Sequence, residues 1–448
     1  MLLPPSPQPP VDIECLPDEI LCTIFRAVTP HPKMGIFGCS MPLGQLILSH
    51  VSHHWRTVVL GDPLLWHSML FHTERKHNFE LCQLFLERSQ QAALSIQAIV
   101  RSVEEEQIFA SLFLPHIRRW GKMVLVCKSS QLVICLSRWS IAPLLESLEL
   151  RVSGGHNDQE AVNIPFLQGG APRLRYLNCS SLHLGGQPLD FPSLQELLLG
   201  PYNAPFSDDP PRDTFHSVTS LIAPQLTRLV ARKFAIRSPF RPPVPIQFDN
   251  LVQLELWVET LTLWEFMEHC RFPKLDSVTI TLLMRPNSFV FGGIPTPLSE
   301  VRNVVIGIDS TAPVFHDDVA SLTILKLTQL LPNVVTLKTR PLTTLERTIL
   351  NGAVVGWPKL TSITANTASL DDIKRIVFDR RNHGYFTPLK EFNLETIRGP
   401  CSKEDYTYVS QNVDLHVQLA KKPNSSGLLE IGSLSPFSIN RLGGPGQL

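Results

Sequence analysis

Three neighbouring histidines are the residues of this sequence whose type and spacing most directly suggest chemistry. His50, His53 and His54 lie in the stretch HVSHHW, and a separation of four residues places the first and last imidazoles on one side of a helix. Imidazole nitrogens bind zinc, but neither an acidic partner nor a third ligand stands nearby. A solvated helix face is the simpler interpretation, so we expect no metal and no cofactor.

Two pairs of adjacent aspartates, Asp208 with Asp209 and Asp371 with Asp372, are candidates for acid–base chemistry. Adjacent carboxylates in loops or at helix starts more often cap helices or face solvent. The sequence contains no Gly-x-Ser-x-Gly motif, no Walker loop and no Rossmann fingerprint. We therefore expect no catalytic residue and a protein that is not an enzyme. An enzyme whose site lies near the polar insertion at residues 201–217 stays open as a weaker alternative.

The cysteines favour a reducing compartment. There are nine of them, an odd number, without any Cys-x-x-Cys pair, whereas disulfide frameworks and zinc sites use tighter, paired spacings. Cys15 and Cys22, seven residues apart, are best explained as small packing side chains. We expect an intracellular protein of the cytoplasm, the nucleus or both.

The charge balance and the hydropathy exclude two classes of partner. The 448 residues carry 40 basic and 40 acidic side chains, which argues against binding to nucleic acid or to an anionic membrane surface. No apolar run reaches the roughly 18 residues of a membrane-spanning helix. The opening MLLPPSPQPP has neither the basic nor the apolar part of a secretory signal, and we expect residues 1–12 to be a disordered, proline-rich leader.

The element that follows the leader is a short amphipathic helix. In ECLPDEILCTIFRAV, residues 14–28, the apolar side chains recur at helical spacing, and Pro17 suits a first turn. Residues 48–59 repeat that spacing and predict a second helix. The sequence thus predicts about three helices over residues 13–72, a cluster too small to be stable without a neighbour or a partner.

An internal repeat with the frame Pro-x-Leu-x-x-Leu-x-Leu occupies most of the remaining chain. Copies are roughly 20 to 32 residues apart, the range of leucine-rich repeats. Each Leu-x-Leu predicts a short strand whose leucines point into a shared core, which forms only when the repeats stack. The copies begin at Ala142, Ala171, Phe191, Ala223, Phe248, Phe272, Leu331, Trp357 and Thr387, with weaker copies at Val301 and Ser321.

The residue between the two leucines of each strand is predicted to point away from the core, because strand side chains alternate. On a solenoid such columns line the concave face, where partners usually bind. The predicted outward residues are Glu149, Asn178, Leu198, Val230, Glu255, Thr279, Lys338, Thr364 and Asn393, flanked by Arg151, Arg232, Trp257 and Arg340.

The opening helices resemble an F-box, and the whole chain resembles the leucine-rich-repeat type of F-box protein in the expanded families of mushroom-forming fungi. The motif runs Leu-Pro-x-Glu-Ile-Leu, then Leu-x-x-Val-x-x-x-Trp-Arg, then Pro-x-Leu-Trp. It is filled by Leu16, Pro17, Glu19, Ile20, Leu21, Leu48, Val51, Trp55, Arg56, Pro63, Leu65 and Trp66. The loop from Thr29 to Gly44 is longer than a compact F-box needs, and Ser52 replaces a usual cysteine.

The resemblance implies a fold of α/β class (α+β overall), with an N-terminal three-helix F-box-like cluster followed by an irregular leucine-rich-repeat solenoid with a curved parallel sheet. The expected domains are the leader at 1–12, the F-box-like domain at 13–72, the repeat domain at 73–400 and a partly disordered C-terminal segment at 401–448.

The resemblance also implies an adaptor that docks the Skp-type subunit of a cullin-RING ubiquitin ligase and presents an unknown protein target. The expected adaptor-binding residues are Leu16, Pro17, Ile20, Leu21, Phe25, Val51 and Trp55. The expected target-binding residues are Glu149, Asn178, Glu255, Trp257, Lys338, Arg340 and Asn393. The alternative is a non-catalytic scaffold with the same repeats that acts without a cullin.

Overall fold

The structure, a computed structural model, describes most of the chain in two compact units. The described residues are 13–29, 44–72, 78–127, 141–152, 170–179, 191–199, 215, 219–232, 240, 242, 244–283, 295–309, 317–339, 350, 356–398 and 402–417. The first unit runs to Glu196, and the second includes the described residues from Leu197 onward. The predicted leader, most of the loop from Thr29 to Gly44, and Arg340 lie outside the described residues.

The N-terminal region is helical, as its apolar spacing predicts. Its helices are α1 (Asp18–Val28), α2 (Gly44–Ser49) and α3 (His53–Gly61), with 3-10 turns at Ile13–Cys15 and Pro63–Leu65. The prediction of one continuous helix over residues 48–59 is wrong, because α2 ends at Ser49 and α3 starts at His53. Ser52 causes the restart, since its hydroxyl accepts a hydrogen bond of 3.2 Å from the Trp55 backbone N–H as an N-cap.

The first unit then builds a parallel sheet. Consecutive strands pair with one another in the order β1-β2-β3-β4-β5. The core beneath includes an aromatic group in which the Phe71 ring lies 5.9 Å from Phe109 and 5.6 Å from Phe113. The elements are β1 (Ser68–His72), α4 (Asn78–Arg88), β2 (Leu94–Val100), α5 (Val103–Phe113), a 3-10 turn (Leu114–Arg119), β3 (Trp120–Cys127), β4 (Ser147–Val152) and β5 (Tyr176–Cys179), and β6 (Glu196–Leu199) begins at the unit's last residue.

The second unit repeats this architecture. Its strands pair in parallel in the order β7-β9-β11-β12-β13-β14-β15-β16, and β8 and β10 form a separate pair. The strands are β7 (Arg228–Ala231), β8 (Ile246–Gln247), β9 (Gln253–Glu259), β10 (Cys270–Arg271), β11 (Ser277–Leu283), β12 (Asn303–Asp309), β13 (Thr336–Thr339), β14 (Ser362–Ser369), β15 (Glu391–Arg398) and β16 (Asp414–Val417). The helices are α6 (Thr260–His269), α7 (Asp317–Leu330), α8 (Leu370–Asn382) and α9 (Lys403–Asn412), and a 3-10 turn covers Ala223–Gln225.

Most copies of the repeat form the same small structure. The first leucine donates its backbone N–H to the carbonyl three residues earlier, as in Leu194 to Phe191 at 3.1 Å and Leu360 to Trp357 at 3.3 Å. The proline that follows Phe191 or Trp357 has no N–H to lose, so it suits this turn. The strand begins directly afterwards, and its inward side chains are buried. The predicted α/β fold with parallel strands after a helical N-terminal region is thus confirmed.

One predicted repeat copy is wrong. SLTILKL, which begins at Ser321, lies within α7 and not on a strand. Its apolar side chains follow a helical period, because Ile324 and Leu327 are buried whereas Leu322 and Leu325 are exposed. None of the helices in the described ranges has both the length and the apolar character that crossing a bilayer requires.

Candidate functional site

Helix α1 carries two apolar stripes, and a core needs only one of them. Leu21 and Phe25, four residues apart, are fully buried among the helices. Ile20 and Val28, on the adjacent stripe, are exposed over 48% and 60% of their surface, with half-buried Ile24 between them. Contiguous exposed apolar patches are a common feature of surfaces that bind other proteins.

The N-terminal ends of α1 and α3 meet beside this second stripe. His54 Nε2 lies 3.6 Å from Asp18 Oδ1, which joins the first turns of the two helices. Pro17 is exposed at the N-cap position of α1, and its carbonyl accepts from the Leu21 N–H at 3.1 Å. Val51, just before α3, is exposed over 56% of its surface. The apolar residues near both helix ends therefore face solvent.

Trp55 is half-buried behind this surface. Its ring lies 4.7 Å from the Phe25 ring at a tilt of 54°. The predicted adaptor-binding residues therefore divide into two groups. Leu16, Pro17, Ile20, Val51 and Trp55 are exposed or half-buried. Leu21 and Phe25 are buried beneath the surface, because the helix turns them about 100° away from the Ile20 stripe, and the Phe25 ring contacts Trp55.

Sequence reasoning missed part of this exposed surface. Ile47 on α2 and Leu64 in the 3-10 turn are exposed apolar side chains of the same helical region. Val28 on α1 is also exposed and is absent from the predicted adaptor-binding residues. The spacing of Ile20, Ile24 and Val28 at intervals of four would have revealed the second stripe on α1. No comparable pattern in the sequence identifies Ile47 or Leu64.

An ion pair holds α1 against the turn after α3. Arg26 donates from Nε and Nη2 to the two oxygens of Asp62, and Asp62 also accepts from the Leu64 N–H at 3.1 Å. The hydrogen bond from Arg26 to Asp62 raises the pKa of the guanidinium. Burial, and then the charge of Asp62, raises the pKa of the nearby Cys22 thiol, which favours its neutral form.

The histidine cluster does not form a metal site. His50 lies in the turn after α2, and its Nδ1 is 3.5 Å from Arg56 Nη2, whereas His54 contacts Asp18. Across the ranges that the structure describes, no three His, Cys, Asp or Glu side chains come together as metal ligands would. Asp372 helps to cap α8, where its N–H donates to Ser369 Oγ at 3.1 Å, and Asp208 and Asp209 lie outside the described residues.

The predicted outward residues of the first unit lie in one register row. Gln97, Val124, Glu149 and Asn178 are cross-strand neighbours from β2 to β5. Glu149 forms an ion pair with Arg151 on the same strand. Asn178 is buried, and its amide donates to the Tyr176 hydroxyl at 3.4 Å. Asn178 thus offers less surface to a partner than its alternation predicts.

The second unit has a longer row of the same kind. From β7 to β16 it runs through Val230, Glu255, Thr279, Val305, Lys338, Thr364, Asn393 and His416. Near its end, Asn393 and Ser362 donate hydrogen bonds to the Glu391 carboxylate at 2.9 and 3.0 Å, and these bonds lower the pKa of Glu391.

Trp257 contacts two neighbours on this face. The Trp257 indole N–H donates to Glu255 Oε1 at 3.2 Å. The Arg232 guanidinium lies 5.5 Å from the centre of the Trp257 ring and 3.6 Å from the same carboxylate oxygen. We call Arg232, Glu255 and Trp257 the Arg–Trp cluster.

The comparisons with known proteins identify the helical region. Residues 13–72 match the family model described as F-box-like. No curated protein matches the chain significantly. F-box domains in general bind Skp1-type subunits, and proteins that carry them are generally non-catalytic adaptors of ubiquitin ligases. The match thus supports an adaptor role for a chain whose N-terminal domain is F-box-like.

Proposed function

We propose that this protein is the substrate-recognition subunit of a Skp-cullin-F-box ubiquitin ligase. The observation that carries the proposal is the second apolar stripe of α1, exposed on a domain that matches the F-box family model. The F-box-like domain would dock the Skp-type subunit and thereby a cullin, and the parallel-sheet region would hold a protein target for transfer of ubiquitin. No catalytic group of its own is required for that role.

The adaptor-binding surface in this proposal is centred on the start of α1 and the segment before α3. Leu16, Pro17, Ile20 and Val51 supply accessible apolar area, and Trp55 supplies a half-buried aromatic ring. Apolar and aromatic side chains at the centre of an interface contribute most of its binding energy. Leu21 and Phe25 would act indirectly, by fixing the position of α1 and the Trp55 ring.

The target-binding surfaces in this proposal are the faces of the parallel strands that carry the predicted outward residues, each unit taken by itself. We propose that residues 73–400 form a repeat domain of the leucine-rich type, as in the fungal families that the sequence resembles. Its outer side chains mix both charges with hydroxyl, amide and aromatic groups, a composition that suits a protein target better than a nucleic acid. Glu149, Glu255, Trp257, Lys338 and Asn393 are the proposed contacts.

Co-expression with a Skp-type subunit tests the proposal. The parent chain should retain the subunit in a pull-down, and Leu16→Ala combined with Pro17→Ala should abolish retention. Phe378→Ala is the matched control, because Phe378 is an exposed apolar residue of α8 in the second unit. Equal retention by the double variant and the parent would show that the surface is misassigned.

Recovery of the cullin separates the proposal from the scaffold alternative. The parent chain is immunoprecipitated from the cytoplasmic and the nuclear fractions of cells. The precipitate should contain both the Skp-type subunit and a cullin. The Skp-type subunit without any cullin would favour a scaffold that acts outside a ligase.

A further inference from the structure

Two members of the Arg–Trp cluster, Glu255 and Trp257, lie on β9, and Arg232 directly follows β7. The backbone N–H of Arg232, the residue directly after β7, donates to the Leu199 carbonyl at 2.9 Å. Glu255 and Trp257 alternate with buried Leu254, Leu256 and Val258 on β9, which is paired with β7 on one side and with β11 on the other. Side chains on such paired strands are positioned more firmly than side chains on loops.

The Arg232 guanidinium is held in place but retains donors for a further partner. A guanidinium has five N–H donors, and the contact of 3.6 Å to Glu255 is longer than the roughly 2.7–2.9 Å of a close charge-assisted bond. The side chain stays 46% exposed. Within the described part of the chain, no carboxylate other than that of Glu255 comes within 4 Å of Arg232.

We infer that Arg232, positioned by Trp257 and Glu255, binds the carboxylate of an aspartate or glutamate in the target protein. The inference rests on the proposed function, since it specifies the chemistry of the target that the outer sheet face takes. A guanidinium already stacked on an aromatic ring loses little conformational entropy when it binds, and its fork matches a carboxylate.

The neighbouring Glu255 favours a carboxylate over a phosphate. Glu255 carries a negative charge within 3.6 Å of the same guanidinium. Attraction to Arg232 and repulsion from Glu255 both grow with the charge of a ligand, so a pair without net charge gives a phosphate of roughly two negative charges little extra attraction, whereas its desolvation costs more than that of a carboxylate. The target segment should therefore be acidic without needing phosphorylation.

Selection from a random peptide library displayed on phage, on the immobilised full chain, tests the inference. Selected peptides should be enriched in Asp and Glu, and their affinity should fall as salt is raised. Arg232→Gln should weaken a selected peptide at least about tenfold, the size expected for loss of an interfacial charge pair. Arg381→Gln is the matched control, an exposed arginine of α8 outside the proposed contacts, and should change affinity less than about twofold.

A second variant and a phosphorylated peptide complete the test. Arg232→Lys keeps the charge but not the fork, so it should weaken binding about threefold, and it replaces Arg232→Gln if that variant does not fold. Absence of acidic enrichment, unchanged affinity for both Arg232 variants, or tighter binding when phosphoserine replaces the acidic residue would each overturn the inference. Retention of a Skp-type subunit by the same preparations is scored separately, so failure of the adaptor role is distinguished from failure of acidic recognition.

Discussion

Arg26 and Asp62, 36 residues apart in the sequence, are joined by two parallel hydrogen bonds of 2.8 Å, from Nε to Oδ2 and from Nη2 to Oδ1. The Asp62 side chain is only 3% exposed, whereas the Arg26 side chain is 44% exposed. The pair fixes α1, which carries the proposed adaptor-binding stripe, to the turn that follows α3. A pair of parallel hydrogen bonds between a guanidinium and a carboxylate fixes the relative orientation of the two groups and also stabilises their contact.

We expect Asp62→Ala to destabilise the F-box-like domain by about 3 kcal/mol. The change removes the partner of Arg26 and the cap of the Leu64 N–H together. Asp62→Asn keeps a side-chain oxygen that can accept from the Leu64 N–H, so it should lower the free energy of unfolding by less. Hydrogen exchange of the α1 and α3 backbone amides at increasing denaturant concentration measures both free energies.

The matched control for this pair is Asp18→Asn. Asp18 is exposed, and its carboxylate lies 3.6 Å from His54 Nε2. Exposed pairs contribute little, so its effect should be less than about 0.5 kcal/mol. Equal effects of the Asp62 and Asp18 variants would contradict the structural role of the Arg26–Asp62 pair.

Arg380 is a buried residue whose hydrogen bonds stabilise the second unit. It is 1% exposed, and its guanidinium donates to the carbonyls of Trp357, Leu360 and Thr387 at 3.0, 2.8 and 3.0 Å. Burial lowers the pKa of the guanidinium to about 10. Arg380→Met should cost about 3 kcal/mol or more, because it leaves several buried carbonyls without donors.

Arg381→Met is the comparison for that change. Arg381 neighbours Arg380 on α8 but is exposed, so its replacement should alter the free energy of unfolding by less than about 0.5 kcal/mol. Urea unfolding of the two variants under identical conditions measures the difference. If the free energies of unfolding of Arg380→Met and Arg381→Met agree within error, the hydrogen bonds of Arg380 do not stabilise the second unit.

The contact between α8 and α9 should weaken in acid. Lys374 Nζ lies 2.6 Å from Asp405 Oδ1, and this bond, followed by that from the Ser402 hydroxyl, lowers the pKa of Asp405 from its ordinary value of 3.8. Since the folded state then binds its proton less readily than the unfolded state, Asp405 stabilises the fold above pH 3.8. That contribution is lost as pH falls through the folded pKa.

NMR titration of Asp405 provides the measurement. The midpoint should lie below 3.8 in the parent and move up towards 3.8 in Lys374→Met. Lys403→Met, an exposed lysine at the start of α9, should leave the midpoint unchanged. A parent midpoint at or above 3.8 would exclude the proposed contact in solution.

The sheet could be predicted from sequence because its rule is local. Strand side chains alternate, so a single Leu-x-Leu identifies the outward residue without knowledge of any other strand. Glu255, Thr279, Lys338, Thr364 and Asn393 were predicted in this way and occupy one continuous register row.

The errors arose where two local patterns compete. Leu322, Leu325 and Leu327 fit the Leu-x-x-Leu-x-Leu frame of a weak repeat copy, but they lie within a helix of 14 residues. The break before α3 depends on one hydroxyl, that of Ser52, which interrupts an otherwise helical spacing.

The tertiary contacts could not be predicted, because nothing local encodes them. The pairing of Arg26 with Asp62 and the contacts of Arg380 with Trp357 join residues 36 and 23 positions apart. The burial of the Leu21 and Phe25 side chains likewise depends on where α3 packs. The sequence shows only that they share an apolar face with Ile20.

Binding of the full chain to a purified Skp-type subunit, measured by biolayer interferometry, tests the central claim most directly. Ile20→Asp combined with Val51→Asp places two charges on exposed residues near the meeting ends of α1 and α3, with little effect expected on the core. We predict that this variant loses affinity at least about a hundredfold, whereas Phe378→Asp stays within about twofold of the parent. Parent-like affinity of the double variant would contradict the assignment of this surface to the adaptor.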